Sequence, residues 1–181
     1  MLVASQVRDP GRQARAAWRP AIEVPDLASL NKGGIGRVNS VSCASAGNCA
    51  AGGSYHIDSS RSQQAFVVGE TSGTWGTAIG VSGSGALGAN PGVTSVSCAS
   101  AGNCAASGSY LDGHSHGQAF VVSQANDTWG TAIEVPGTGA LTAGGAAFAR
   151  SVSCRSAGNC AVGGSYRDGS GHFQAFVDSQ G

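Results

Sequence analysis

The sequence predicts an all-β fold, and three observations carry that expectation. Small and β-branched residues dominate, with 30 Gly among 181 residues and only 11% charged side chains. Gly and β-branched residues lose more on entering a helix than straight-chain residues do. A block of about 55 residues recurs three times, and each copy breaks into short runs bounded by Gly, Ser, Asn or Asp. No segment offers ten residues of apolar 3.6-residue periodicity.

The repeat is explicit. Ser40-Val41-Ser42-Cys43 opens a sixteen-residue stretch, 40–55, that returns at 95–110 and again at 151–166 with few changes. Cys43 to Cys98 is 55 residues and Cys98 to Cys154 is 56. Downstream, Gln-Ala-Phe-Val recurs from Gln64, Gln118 and Gln174. Trp-Gly-Thr-Ala-Ile recurs from Trp75 and Trp129, with Trp18-Arg19-Pro20-Ala21-Ile22 as a looser copy. Disordered chains do not combine 41% hydrophobic residues with aromatics at fixed positions.

Four short strands per unit follow. In the first copy they lie around Val41-Ser42-Cys43, around residues 49–55, at Ala65-Phe66-Val67-Val68, and over residues 74–81. Thr71-Ser72-Gly73 and Ala125-Asn126-Asp127 have the composition of hairpin turns between the third and fourth strands. Residues 82–94 and 137–149 are Gly/Ala-rich connectors. Four strands in a unit of this length is the pattern of a propeller blade, so the sequence predicts a β-propeller-like array of about three four-stranded blades. A β-solenoid with two coils per repeat is the alternative.

The whole chain, 1–181, reads as one repeat domain: a partial unit at 1–24, then repeats at about 38–81, 93–135 and 149–181. Leu2-Val3-Ala4-Ser5-Gln6 aligns with Phe120-Val121-Val122-Ser123-Gln124, so both ends cut the unit in the same place. A fragment of a longer array is one expectation. A circular offset, in which first strands complete a last unit, is the other, and the degenerate first strand favours the fragment. Three units also fall short of the roughly four blades a closed ring needs, which raises a homodimer completing one ring.

Six cysteines form three Cys-x5-Cys pairs: Cys43 with Cys49, Cys98 with Cys104, Cys154 with Cys160. The intervening Ala-Ser-Ala-Gly-Asn, or Arg-Ser-Ala-Gly-Asn, is turn chemistry that brings two strand ends together. Pairing within each unit would close a seven-residue loop, stabilising by roughly 2 kcal/mol on the chain-entropy model. Zinc, the rival, wants four ligands at shorter spacing, and no His recurs at a fixed position to complete a set. Buried free thiols are the third reading. Disulfides would place the chain in an oxidising compartment, extracellular or at the cell surface. Met1-Leu2-Val3-Ala4, followed at once by Arg8, Asp9 and Arg12, is too short an apolar run for a signal peptide.

The charge balance excludes whole classes of partner. Ten basic and ten acidic residues cancel, leaving no field for nucleic acid. No apolar run approaches the roughly 18 residues of a membrane span. The sequence points to no cofactor, metal or catalytic residue. There is no nucleophile elbow, phosphate loop or EF-hand. His56, His114, His116 and His172 all fall in one variable segment, where Asp112-Gly113-His114-Ser115-His116 reads as a solvated hairpin tip. Glu23 and Glu134 occupy equivalent places where the other copy has Gly80, which reads as an exposed edge. Serine is too abundant here to carry information.

Tyr55, Tyr110 and Tyr166 each close the second strand and are followed within three residues by Asp58, Asp112 and Asp168. A flat ring beside carboxylate acceptors suits sugars, and these six residues are the candidate ligand-binding loops. The competing reading is that Tyr, like Trp18, Trp75, Trp129, Phe66, Phe120 and Phe176, packs between units.

The run Ser-Val-Ser-Cys-x5-Cys-Ala, then Gln-Ala-Phe-Val, resembles Cys-containing β-propeller-like repeats of large secreted or surface proteins of actinobacteria. The resemblance covers residues 18–177, and implies blade architecture without catalytic residues. The expected function is a non-enzymatic binding or display scaffold for glycans or surface proteins. The alternatives are part of a larger propeller enzyme whose active residues lie in other repeats, and a purely structural spacer.

Overall fold

The computed structural model describes residues 18–60, 62–142 and 145–180. The expected strand at residues 2–6 lies outside them. The protein is all-β. Three antiparallel meanders follow one another: β1 (Gly36–Ser45), β2 (Asn48–His56) and β3 (Gln63–Thr71); β6 (Ala89–Ser100), β7 (Asn103–Leu111) and β8 (Gly117–Ala125); and β11 (Ala147–Ser156), β12 (Asn159–Arg167) and β13 (Phe173–Ser179). Every ladder is antiparallel, whereas stacked solenoid coils would pair in parallel. No helix among the described residues is long and apolar enough to cross a membrane.

The three hairpins share one register. Cys43 faces Cys49, Cys98 faces Cys104 and Cys154 faces Cys160. Each pair is bonded, with sulfur–sulfur distances of 2.04, 2.06 and 2.08 Å. The turn between them needs a left-handed residue, supplied by Gly47, Gly102 and Gly158. The hairpins after β3 and β8 have two consecutive left-handed residues, Ser72-Gly73 and Asn126-Asp127. That is the primed two-residue turn whose twist matches the flanking strands.

The fourth strand departs from the expected continuous run over 74–81. It consists of two short ladders on β3, β4 (Thr74–Trp75) and β5 (Ile79–Gly80), repeated on β8 as β9 (Thr128–Trp129) and β10 (Ile133–Glu134). Between them the backbone turns to another partner. Ala78 N–H donates to Pro25 O at 2.9 Å, and Ala132 N–H to Ser82 O at 2.8 Å. The connector preceding each unit therefore draws the middle of that unit's fourth strand away from its sheet. The connectors also contain a single helical turn each: α1 (Leu27–Leu30), α2 (Ser84–Leu87) and α3 (Thr138–Leu141).

The sheets pack side by side through β1, β6 and β11. One apolar cluster fills the first seam, with Ala50 and Val67 from the first unit meeting Val96, Ala106 and Val122 from the second, and Trp129 and Ala132 closing it. The second seam holds Ala119, Val135, Ala149, Val162 and Phe176. Polar bonds run along both seams. Val96 and Cys98 N–H donate to Ser40 and Ser42 Oγ, each at 3.0 Å. Val152 and Cys154 N–H donate to Ser95 and Ser97 Oγ at 3.1 and 2.9 Å.

A bulge recurs just before each Ser-Val-Ser and leaves Asn39, Thr94 or Arg150 out of the pairing. Asn39 Nδ2 reaches Val93 O at 2.7 Å and Thr94 Oγ1 reaches Ala149 O at 2.9 Å. In the first two units the bulge thus re-aims one side chain at the next unit.

Two substitutions test this reading. Ser95→Ala removes the acceptor of a buried amide and is expected to cost about 1–2 kcal/mol, read by denaturant unfolding of the oxidised protein. Ser107→Ala should do the reverse. Ser107 is fully buried and its hydroxyl has no partner, so its removal should raise the melting temperature by about 2–4 °C.

Candidate functional site

The six sequence-predicted residues lie at the end of the sheets opposite the disulfides, where the second strand of each unit turns into the third. The structure gives them structural tasks. Tyr55 and Tyr110 are buried, and Tyr166 is half-buried against the second seam. Tyr55 meets Phe66 edge-on at 6.4 Å between ring centres. Tyr55 and Tyr110 therefore present little ring surface to solvent. Tyr110 Oη donates to Glu134 Oε2 at 3.1 Å. Burial first, and then the Glu134 carboxylate, push this phenol up to about 12, so it remains a donor. Glu134 also accepts from Thr138 Oγ1 at 3.3 Å. It is half-buried, not the exposed edge residue expected from the sequence.

The aspartates tie their own loops. Asp112 Oδ1 accepts the amides of His114 and His116 at 2.8 and 2.9 Å, and its Oδ2 accepts Gln118 Nε2 at 3.0 Å. Asp168 repeats this with the amides of Ser170 and His172, both at 2.9 Å, and Gln174 Nε2 at 3.1 Å. Asp58 accepts the Ser60 amide at 2.9 Å and the Ser60 hydroxyl. These bonds favour the charged carboxylate and hold all three below the ordinary value, led at Asp112 and Asp168 by the His116 and His172 amides and at Asp58 by the Ser60 hydroxyl. Among the described residues, no three His, Cys, Asp or Glu side chains gather as a metal-binding group.

A different feature at this end brings all three units together. A pocket of about 310 Å³ is lined by Arg37 and Gln63 of the first unit, Asn90, Gly92 and Thr94 of the second, and Phe148 of the third. Arg37, Gly92 and Phe148 occupy the same register position, opposite Ser54, Ser109 and Ser165. The repeat places them together, and its sequence varies there from a cation to nothing to an aromatic ring. Gly92 leaves the room: a Cβ would stand 2.8 Å from Gln63 Nε2. Gln63 N–H donates to Asn90 Oδ1 at 3.0 Å and Gln63 Nε2 approaches Asn90 O at 3.3 Å. With the contact of Gln63 Nε2 to Pro91 O at 3.3 Å, those bonds tie Gln63 to the second unit. Sequence reasoning missed this site because the three positions look like unrelated substitutions until the strands are aligned by their bulges.

The clamp can be tested on its own. Asp112→Ala should speed hydrogen exchange of the His114 and His116 amides about tenfold while the melting temperature stays nearly constant. Because Asp112 is held below the ordinary 3.8, its contribution is complete above that value. It fades as pH falls through the lowered one, and exchange of these amides, corrected for the intrinsic rate, should rise over that acid window.

No protein-family model matches the chain, and comparison with curated proteins gives no match.

Proposed function

We propose that the chain is a non-enzymatic binding scaffold of the cell surface or extracellular space, whose three sheets are blades of a propeller-like array. The ligand we assign is an acidic glycan, held in the pocket shared by the three units. The observation that carries this reading is the divergence of Arg37, Gly92 and Phe148 at one register position of an otherwise repeating fold. The Ser-Val-Ser run, the cysteines and the Tyr and Phe positions repeat, whereas this level of the inner strand does not. A position that varies where three copies converge is better explained by something bound there.

The chemistry fits such a ligand. A guanidinium takes a carboxylate in a two-pronged bond, and the Gln63 and Asn90 amides suit hydroxyl groups. The three disulfides support an oxidising compartment. The resemblance to secreted actinobacterial repeats points the same way.

The test is an NMR titration of the oxidised protein with uronic-acid oligosaccharides and with their neutral counterparts. Amide shifts at Arg37, Asn90 and Phe148 are expected with the acidic sugars. Arg37→Ala should weaken binding at least about tenfold, as the loss of a hydrogen bond to a charged group does. Equal responses to acidic and neutral sugars, or shifts elsewhere on the molecule, would refute the assignment.

A further inference from the structure

We propose that residues 18–24 of a second copy serve as the fourth strand of the third unit, so that two chains join head to tail. The inference is independent of the ligand pocket. It starts from an apolar segment standing in the open. Residues 18–30 align without gaps with 75–87 and 129–141. In the two complete units this stretch is built into the fold: Ala78 and Ala132 are each 4% exposed, and Trp129 packs in the first seam. In the first stretch Trp18 is 100% exposed and Ala21 is exposed as well. Its latter half is in place, with Leu27 buried against the first unit and Val24 and Leu30 packed beside it.

The third unit has the matching place. A groove of about 390 Å³ lies in the second seam, lined by Ala105 and Val121 on one side and Val152, Cys160, Val162 and Asp178 on the other. These are the counterparts of Ala50, Val67, Val96, Cys104, Ala106 and Val122, which surround Trp129 and Ala132 in the first seam. Trp18 and Ala21 of a second copy carry the side chains that this groove lacks. The repeat also dictates the backbone bonds. Val81 N–H donates to Ala65 O and Val135 N–H to Ala119 O, both at 2.9 Å, so Val24 of the incoming strand pairs with Ala175 O. Tyr166 then receives Glu23 as Tyr110 receives Glu134.

The faces beyond that strand continue the established seams. Val177 is 87% exposed where its counterpart Val67 is 0%. Val41 is 59% exposed where Val96 and Val152 are 5% and 7%. A hollow of about 800 Å³ lies between residues 18–25 and the first unit, lined by Val41, Cys49, Ala51 and Val68. The third meander of the other copy fills it. Ser151 and Ser153 are exposed, while the bonded serines of the other units are half-buried. They stand in register to accept the amides of Val41 and Cys43 from the second copy. Two such seams close two copies into one ring of six units, within the usual range of blade number.

Light scattering on the oxidised chain tests this, with two variants at opposite ends. Ala21→Asp and Val177→Asp both alter exposed residues, so each single chain should keep its circular dichroism and melting behaviour. Twice the chain mass is expected for the unaltered protein and a single mass for each variant alone. An equimolar mixture of the two variants should regain the doubled mass, because one sound head then meets one sound tail. A monomeric parent, variants that still dimerise, or a mixture that stays monomeric would each overturn the proposal.

Discussion

The amides on the free edge of each innermost strand are the constraint on which the rest depends. A strand at a sheet edge has N–H groups that its own sheet cannot pair, and burying them without partners costs as much as a lost hydrogen bond. Here β6 and β11 turn such amides toward the preceding unit, where apolar packing excludes water. The preceding inner strand does not extend the sheet to meet them. It offers serine hydroxyls, at 2.9–3.1 Å across the two seams. One Oγ per amide spans a gap too wide for a backbone ladder, and the three sheets remain separate while their edges are satisfied.

This solution fixes much of the local sequence. The hydroxyl must sit on the seam side, so Ser alternates with Val, and Val96 and Val152 become core residues between two linking serines. Glycine and alanine next to the seam let the sheets approach: a Cβ on Gly52 would stand 2.6 Å from Val93 Cγ1. The bulge adds a third bond per seam through Asn39 or Thr94. The disulfide lies just beyond the second serine, closing the hairpin at the end where the seam bonds stop. A cross-link there keeps the linking strand in register with its partner, since a slip of one residue would turn both serines to the wrong face.

Much of this was legible in the sequence, and the illegible parts share a cause. The repeat, the cysteine pairs and the two primed turns follow from local rules, because Cys spacing and turn residues act within a few positions. The interrupted fourth strand did not, since Thr77 and Ala78 are drawn off by Asp26 and Pro25, some fifty residues away. Tyrosines that end a strand beside an aspartate fit either a sugar-facing role or packing between units, and Tyr55 and Tyr110 are buried. Burial depends on the neighbouring unit, which no local pattern reports. Serine was dismissed as uninformative by its abundance, yet four serines at one repeated spacing join the sheets. Their position one and three residues after the bulge is the available signal.

Fidelity at the seams and divergence at the pocket have one physical origin. A seam residue answers to two units at once, so a change at Ser95 or Val96 must suit the sheet it belongs to and the one it touches. Arg37, Gly92 and Phe148 also lie on the inner strands, but at the mouth, past the last of the serine bonds. There Arg37 is exposed, while the half-buried Phe148 ring packs over Gly117 of β8. The fold therefore holds its Ser-Val-Ser seams constant and varies at the mouth and in the loops after the second strand.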